Sequence, residues 1–299
     1  MLPFPTQIQI ISDLHLETPL PSPSYLTFKL PVHGPNLCLL GDIGLVIHNQ
    51  LFDFLRRLLD EERGTRIFYI LGNHEAYETT HDDAIQKLRD FEQEAKKEFG
   101  GRFVFLHRDR YDLDKEVTIL GCTLWSKISA DQVDEAQTRL TDYNEQRGIR
   151  NWSIENHLSE HALDLDFLNT QVQKLGAEEP QRQIVILTHH SPTIDARASD
   201  PRFCKSPISS CFATDLSNEM SWKSPMVRMW AFGHTHVNCK FQIEETGLLV
   251  VTNQKGYTKL GDTTKGRGRM KTCSVEVSRD RVWKVVDVEE KEKAKRERE

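Results

Sequence analysis

The sequence predicts an α/β fold built from short, fully covered strands that alternate with amphipathic helices. Two observations carry the prediction. Seven apolar runs of strand length, rich in β-branched and aromatic residues, recur along the chain. Their lack of polar alternation suits strands buried on both faces. Between several of them lie longer stretches whose apolar residues return every three or four positions, the spacing of one helical face. This alternation implies a largely parallel sheet in the first part of the chain.

In chain order, the runs at 8–11 and 37–40 come first. A helix is predicted over 49–62, where Leu51, Phe54, Leu55, Leu58 and Leu59 share a face. The run 67–71 follows, then a helix over 80–98 carrying Ala84, Leu88, Phe91, Ala95 and Phe99. Runs at 103–106 and 117–120 precede a third helix, 155–175, which aligns Leu158, Ala162, Leu165, Leu168, Val172 and Leu175. Strands at 184–187 and 227–232 complete the pattern, and residues 239–288 read as strands and turns with no convincing helix. Residues 255–271 are glycine-rich and basic, with Asp262 their one acid. They read as a surface loop, or as a flap that attracts an anionic substrate. The almost wholly charged residues 289–299 read as a frayed helix or solvated tail.

The 299 residues allow one large domain or two small ones. No Pro- or Ser-rich linker divides them, so a single domain over 1–288 is expected. A formal net charge of -6 disfavours a generic nucleic-acid-coating protein. The opening residues lack the charged and long apolar regions of a secretory signal, and no apolar stretch is long enough to span a bilayer. Six cysteines occur without a Cys-x-x-Cys pair, and Cys38 and Cys122 lie inside apolar runs. A reduced, cytoplasmic chain is the expectation.

Five short polar clusters follow one order along the chain: Asp13-Leu14-His15, Gly41-Asp42, Gly72-Asn73-His74-Glu75, Thr188-His189-His190 and Gly233-His234-Thr235-His236. Most of them end a strand-like run, so metal-binding side chains emerge where strands give way to loops. Asp13 and His15, two residues apart at a strand end, are expected to point to the same side. In isolation such a pair also fits a capping aspartate beside a surface histidine. Asp42 follows a glycine that lets the backbone turn sharply, and its two carboxylate oxygens suit it to bridge two cations. Asn73 offers a neutral hard oxygen that limits negative charge where an anion must bind. None of the clusters contains cysteine, which argues against a closed thiolate zinc site.

Together the clusters resemble the calcineurin-like metallophosphoesterase superfamily, whose motifs read D-x-H, G-D, G-N-H-[D/E], H and G-H-x-H. The resemblance spans residues 7 to 258 and implies two packed mixed β-sheets flanked by helices, a four-layer α/β/β/α sandwich. It also implies two divalent metal ions, Mn, Fe, Zn or Mg. One would take Asp13, His15, Asp42 and His236; the other would take Asp42, Asn73, His189 and His234. His74 matches the catalytic histidine that assists the leaving group while a metal-bridged hydroxide attacks phosphorus in line. Glu75 is expected to orient His74, or to pair with a nearby loop.

A finer likeness points to small bacterial and fungal serine/threonine-phosphatase-like proteins. It rests on Ser12 to Glu17, on Thr188-His189-His190-Ser191-Pro192, on Asn253-Gln254-Lys255-Gly256-Tyr257, and on Asp142-Tyr143 with Ile149-Arg150. Substrate contacts are expected from Tyr143, Arg150, Tyr257 and His190, with structural roles as the alternative. Gly41-Asp42 continues as Ile43-Gly44-Leu45, so the Asp-Arg pair with which protein phosphatases of this type hold a phosphoprotein is missing. The expected activity is therefore phosphomonoester hydrolysis of a small molecule. The alternatives are a phosphodiesterase acting on nucleotides or other diesters, and an inactive metal-binding scaffold. The loops 126–156, 191–225 and 255–271 are expected to set substrate choice. His33, His48, His81, His107, His157 and His161 read as surface or satisfied structural residues.

Overall fold

A computed structural model describes residues 7–202, 205–257, 273–277 and 283–287. The first sheet contains β1 (Gln7–Ile11), β2 (Asn36–Leu40), β3 (Arg66–Ile70) and β4 (Phe103–Leu106), all parallel. The second contains β5 (Asp109–Asp112), β6 (Val117–Gly121), β7 (Gln183–Leu187), β8 (Val227–Phe232), β9 (Lys240–Gln242) and β10 (Leu249–Thr252). In it β6, β7, β8 and β10 run parallel, with β5 and β9 antiparallel at the two edges. Finally β11 (Cys273–Val277) and β12 (Trp283–Asp287) extend the first sheet, β11 pairing antiparallel to β1. Both sheets are thus mixed.

The helices are α1 (Asn49–Glu61), α2 (His81–Glu98), α3 (Val133–Arg139), α4 (Ile154–Glu178) and α5 (Met220–Lys223). Alternation along each strand builds the layers. Cys38 and Leu40 face the second sheet, packing with Ile119, Val185 and Met229, whereas Leu37 and Leu39 face Leu51, Phe54 and Leu55 of α1. Behind the second sheet, Ile184, Ile186 and Trp230 meet Leu168, Val172 and Leu175 of α4 and Trp222 of α5. Each central strand is therefore buried on both sides, which is why it reads as an unbroken apolar run. This is the expected α/β/β/α sandwich. Capping agrees with the helix starts: Thr80 accepts a hydrogen bond from the Asp83 amide, and Ser153 with Asn156 forms a reciprocal capping box.

Three elements escape the apolar pattern. Edge strand β5 reads Asp-Arg-Tyr-Asp, and α3 and α5 are too short to show a period. Residues 258–271 of the basic segment and the 289–299 tail lie outside the described residues. Among the described residues, no helix is long and apolar enough to cross a membrane.

Candidate metal centre

The carboxyl ends of β1, β2, β3, β7 and β8 carry the five clusters, and the two sheets are sewn together there. Ser12 donates its amide to the Asn253 carbonyl (3.0 Å), Lys255 returns an amide to Ser12 (3.2 Å), and Gly256 donates to the Asp13 carbonyl (2.9 Å). Beyond the strand end the backbone is not extended. Asp13, His15, Asp42, His234 and His236 all have φ between 47 and 67°, in the left-handed region. Non-glycine residues adopt it at a cost that the surrounding structure must outweigh. The side chains of Asp13 and His15 converge through these turns rather than through strand alternation. Gly41 is also forced: φ is +84°, and a Cβ there would stand 2.5 Å from the His189 ring.

Among the described residues three groups of ligand-type atoms result: Asp13, His15 and His236; His15, Asp42 and His74; and Asp42, His189 and His234. His236 Nε2 lies 3.2 Å from Asp13 Oδ1 and 3.1 Å from His15 Nε2. His189 Nε2 lies 3.4 Å from Asp42 Oδ1 and 3.2 Å from Asn73 Oδ1.

Neighbours fix the orientation of each group. His15 donates Nδ1–H to Glu17 Oε1 (3.1 Å), and His189 donates Nδ1–H to the Leu40 carbonyl (2.8 Å), so both rings turn Nε2 inward. Asn73 gives its amide hydrogens to Tyr77 Oη (2.9 Å) and Asp142 Oδ1 (2.8 Å), which turns its oxygen inward. Acceptor atoms therefore face one another, and only protons or cations can hold them there. Burial pulls His189 down, but the Asp42 carboxylate outweighs it and holds the ring at about 10; His74 is likewise held at about 9. A divalent cation held there would balance the same buried carboxylates. The donor set, carboxylate, amide oxygen and imidazole, fits Mn, Fe, Zn or Mg.

Glu75 does not orient His74. Its carboxylate accepts the amides of Asp42, Ile43 and Gly72 and the Tyr69 hydroxyl. Adjacent side chains in the tight turn His74–Ala76 project about 120° apart, so the two cannot face each other. Glu17 takes that place, accepting His74 Nδ1–H at 3.0 Å with the same oxygen that holds His15.

The structure brings Tyr257 to this cluster. Its ring stacks on His15 at 4.1 Å, and its hydroxyl lies 3.0 Å from His74 Nε2. His190 is buried, packed 4.0 Å from the His234 ring and 5.2 Å from Trp125. Neither of its ring nitrogens has a hydrogen-bonding partner among the described residues. Tyr143 bonds instead to His157 Nδ1 (3.2 Å), and Arg150 is exposed, with its amide on the Thr79 carbonyl. Glu17, Asp142 and Tyr77 are functional candidates to which reading along the chain gave no role, although Glu17 and Asp142 lie in stretches that carry the finer likeness. Glu17 reaches His74 and Asp142 reaches Asn73 across long sequence separations, whereas Glu17 holds His15 and Tyr77 holds Asn73 locally.

His81, His157 and His161 are buried rather than superficial. Burial pulls His157 to about 3, and His107, helped by Arg108, also to about 3. The unfolded chain therefore takes up protons below about 6.5 that the folded chain refuses, so this stability is complete above about 6.5 and is lost as pH falls toward 3. At about pH 5.5 the stability lost through His157 alone is on the order of 1 kcal/mol. Urea unfolding is expected to show a lower midpoint at about pH 5.5 than at about pH 7.5, and His157→Gln should remove part of that difference. A midpoint flat with pH contradicts the assignment.

A family model described as calcineurin-like phosphoesterase matches residues 7–238. An uncharacterized protein of Acanthamoeba polyphaga mimivirus is 28% identical over 278 residues, covering 84% of this chain and 91% of its own. The phosphopantetheinyl hydrolase of Mycobacterium tuberculosis superposes with a TM-score of 0.55 at 15% identity, over 88% of this chain and 98% of that one. At that identity the likeness concerns the fold.

Proposed function

This chain belongs to the calcineurin-like phosphoesterase family, and on that basis we propose that it is a dinuclear-metal-dependent hydrolase of small-molecule phosphomonoesters. The supporting observation is the inward convergence of Asn73, His15, His189 and His236 on the carboxylates of Asp13 and Asp42. In this reading Asp13, His15, Asp42 and His236 hold one cation and Asp42, Asn73, His189 and His234 the other. Bound cations supply Lewis acidity toward the phosphoryl oxygens and make water nucleophilic near neutral pH.

The chain's own residues do the rest. Asp42 is shared between the two sets, and its Oδ1 also accepts the His74 amide at 3.0 Å, which fixes the carboxylate plane. Glu17 anchors His74 through Nδ1, which holds Nε2 on the side of Asp42 Oδ2, 3.9 Å away; in this reading His74 assists the leaving group from there. Ile43 and Leu45, buried after Asp42, present no guanidinium to a phosphoprotein. That favours a small substrate.

The test loads the apo-protein with Mn²⁺ and compares p-nitrophenyl phosphate with bis-p-nitrophenyl phosphate. A monoester preference of about tenfold or more is expected, equivalent to about 1.4 kcal/mol in the barrier. A diester preference replaces the monoesterase reading with a phosphodiesterase. A metal-replete chain that hydrolyses neither is a scaffold.

A further inference from the structure

Two different devices fix the planes of the imidazoles that converge at the candidate centre. His15 and His189 are fixed by hydrogen bonds through Nδ1, to Glu17 Oε1 (3.1 Å) and to the Leu40 carbonyl (2.8 Å). Among the described residues no hydrogen bond fixes the His234 ring. Its amide donates to the two Asp13 carboxylate oxygens (3.1 Å each), but the imidazole itself rests on other rings. His190 packs against it at 4.0 Å with 37° between planes, and Phe212 stacks on it at 4.9 Å with 26°. His189 meets it edge-on at 4.9 Å. His15 also carries a stacked ring, that of Tyr257, but keeps its Glu17 bond in addition.

Phe212 is firmly placed for this. Its carbonyl accepts the Ser191 amide (3.2 Å), and the Thr214 amide returns to the Ser191 carbonyl (3.0 Å), which ties it beside the chain leaving β7. The turn before it, Ser209–Cys211, is anchored too: Ser210 gives its amide to Gln132 Oε1 (2.9 Å), and its hydroxyl accepts the Ser129 amide (3.0 Å). The half-buried Phe212 ring packs against the cluster that contains Ile128, Ala136 and Cys211.

We propose that Phe212 is a positioning residue whose ring holds the His234 imidazole in the plane that completes the second ligand set. The inference rests on the dinuclear reading above. Aromatic pairs attract one another beyond the area they bury. A ligand ring with no hydrogen bond to orient it depends on that contact, and removing a group that orients a ligand typically costs about 10–100-fold in metal affinity. The loop 191–225, expected to set substrate choice, then also supplies a wall of the metal site.

Calorimetric titration of the metal-free chain with Mn²⁺ tests this. The wild type should show two binding events, and His234→Ala identifies the one that His234 serves. Phe212→Ala should weaken that event about tenfold and the other by less than about threefold. Phe212→Tyr keeps a flat ring and should restore most of the affinity. Phe212→Leu fills similar space without one and should not. Should Phe212→Ala fail to fold, the contrast between Tyr and Leu decides. Undiminished affinity in Phe212→Ala, equal weakening of both events, or a Leu variant that matches the Tyr variant overturns the positioning role while leaving the dinuclear reading in place. A wild type that binds a single ion removes that reading, and this proposal with it.

Discussion

Asp42→Asn is expected to lower turnover by about three orders of magnitude or more while the chain stays folded. The substitution is nearly isosteric, and the oxygen retained at Oδ1 can still accept the His74 amide. What it removes is the charge and the second acceptor. Asp42 Oδ2 lies 3.8 Å from His15 Nε2 and 3.9 Å from His74 Nε2, while Oδ1 lies 3.4 Å from His189 Nε2. An amide nitrogen in place of Oδ2 turns hydrogens toward that space and repels a cation. In the dinuclear reading proposed above, metal content should fall from two equivalents toward one or none. In the metal-free wild type the Asp42 carboxylate is balanced by the His189 and His74 imidazoliums, so the metal-free variant, which loses that pairing, should melt somewhat below the metal-free wild type while remaining folded. Turnover, metal analysis and melting of both forms together check this. A fully metal-loaded, active variant would show that Asp42 is not shared between two sites.

Much of this site was legible because chemistry restricts residue type at the ends of strands. Asp42, Asn73 and His189 each follow a run whose apolar character comes from burial between layers, so strand and candidate ligand announce one another. Relations across sequence were not legible. Glu17 reaches His74 over 57 positions and Asp142 reaches Asn73 over 69, and no local spacing encodes either contact. The expected partnership of Glu75 with His74 failed for a reason of geometry, since neighbours in a tight turn diverge. Strand β5 was missed because an edge strand keeps polar side chains, here Arg110 bonded to Asp112 and Glu179.

Glu75 should prove the largest single contributor to the stability of this end of the molecule. Its Oε2 accepts the amides of Asp42 (2.9 Å) and Gly72 (2.8 Å), and its Oε1 accepts the Ile43 amide (2.8 Å) and the Tyr69 hydroxyl (2.8 Å). One fully buried carboxylate thus ties the turn after β2 to the turn after β3. The packing leaves no room to improvise, because a Cβ on Gly72 would collide with both Asp42 and Glu75. Glu75→Ala strands four buried donors. At about 1–3 kcal/mol each the cost is about 4 kcal/mol or more, a large share of the 5–15 kcal/mol that holds a typical domain together. Melting should fall by roughly 8 °C or more, with or without added metal. Glu75→Gln keeps one acceptor but turns amide hydrogens onto two of the donors, so it should fall between wild type and Glu75→Ala. The contrast with Asp42→Asn separates the two carboxylates: one loses metal and keeps its fold, the other loses the frame on which the metal ligands stand. Wild-type melting in Glu75→Ala would mean that the left-handed turns hold without this clamp.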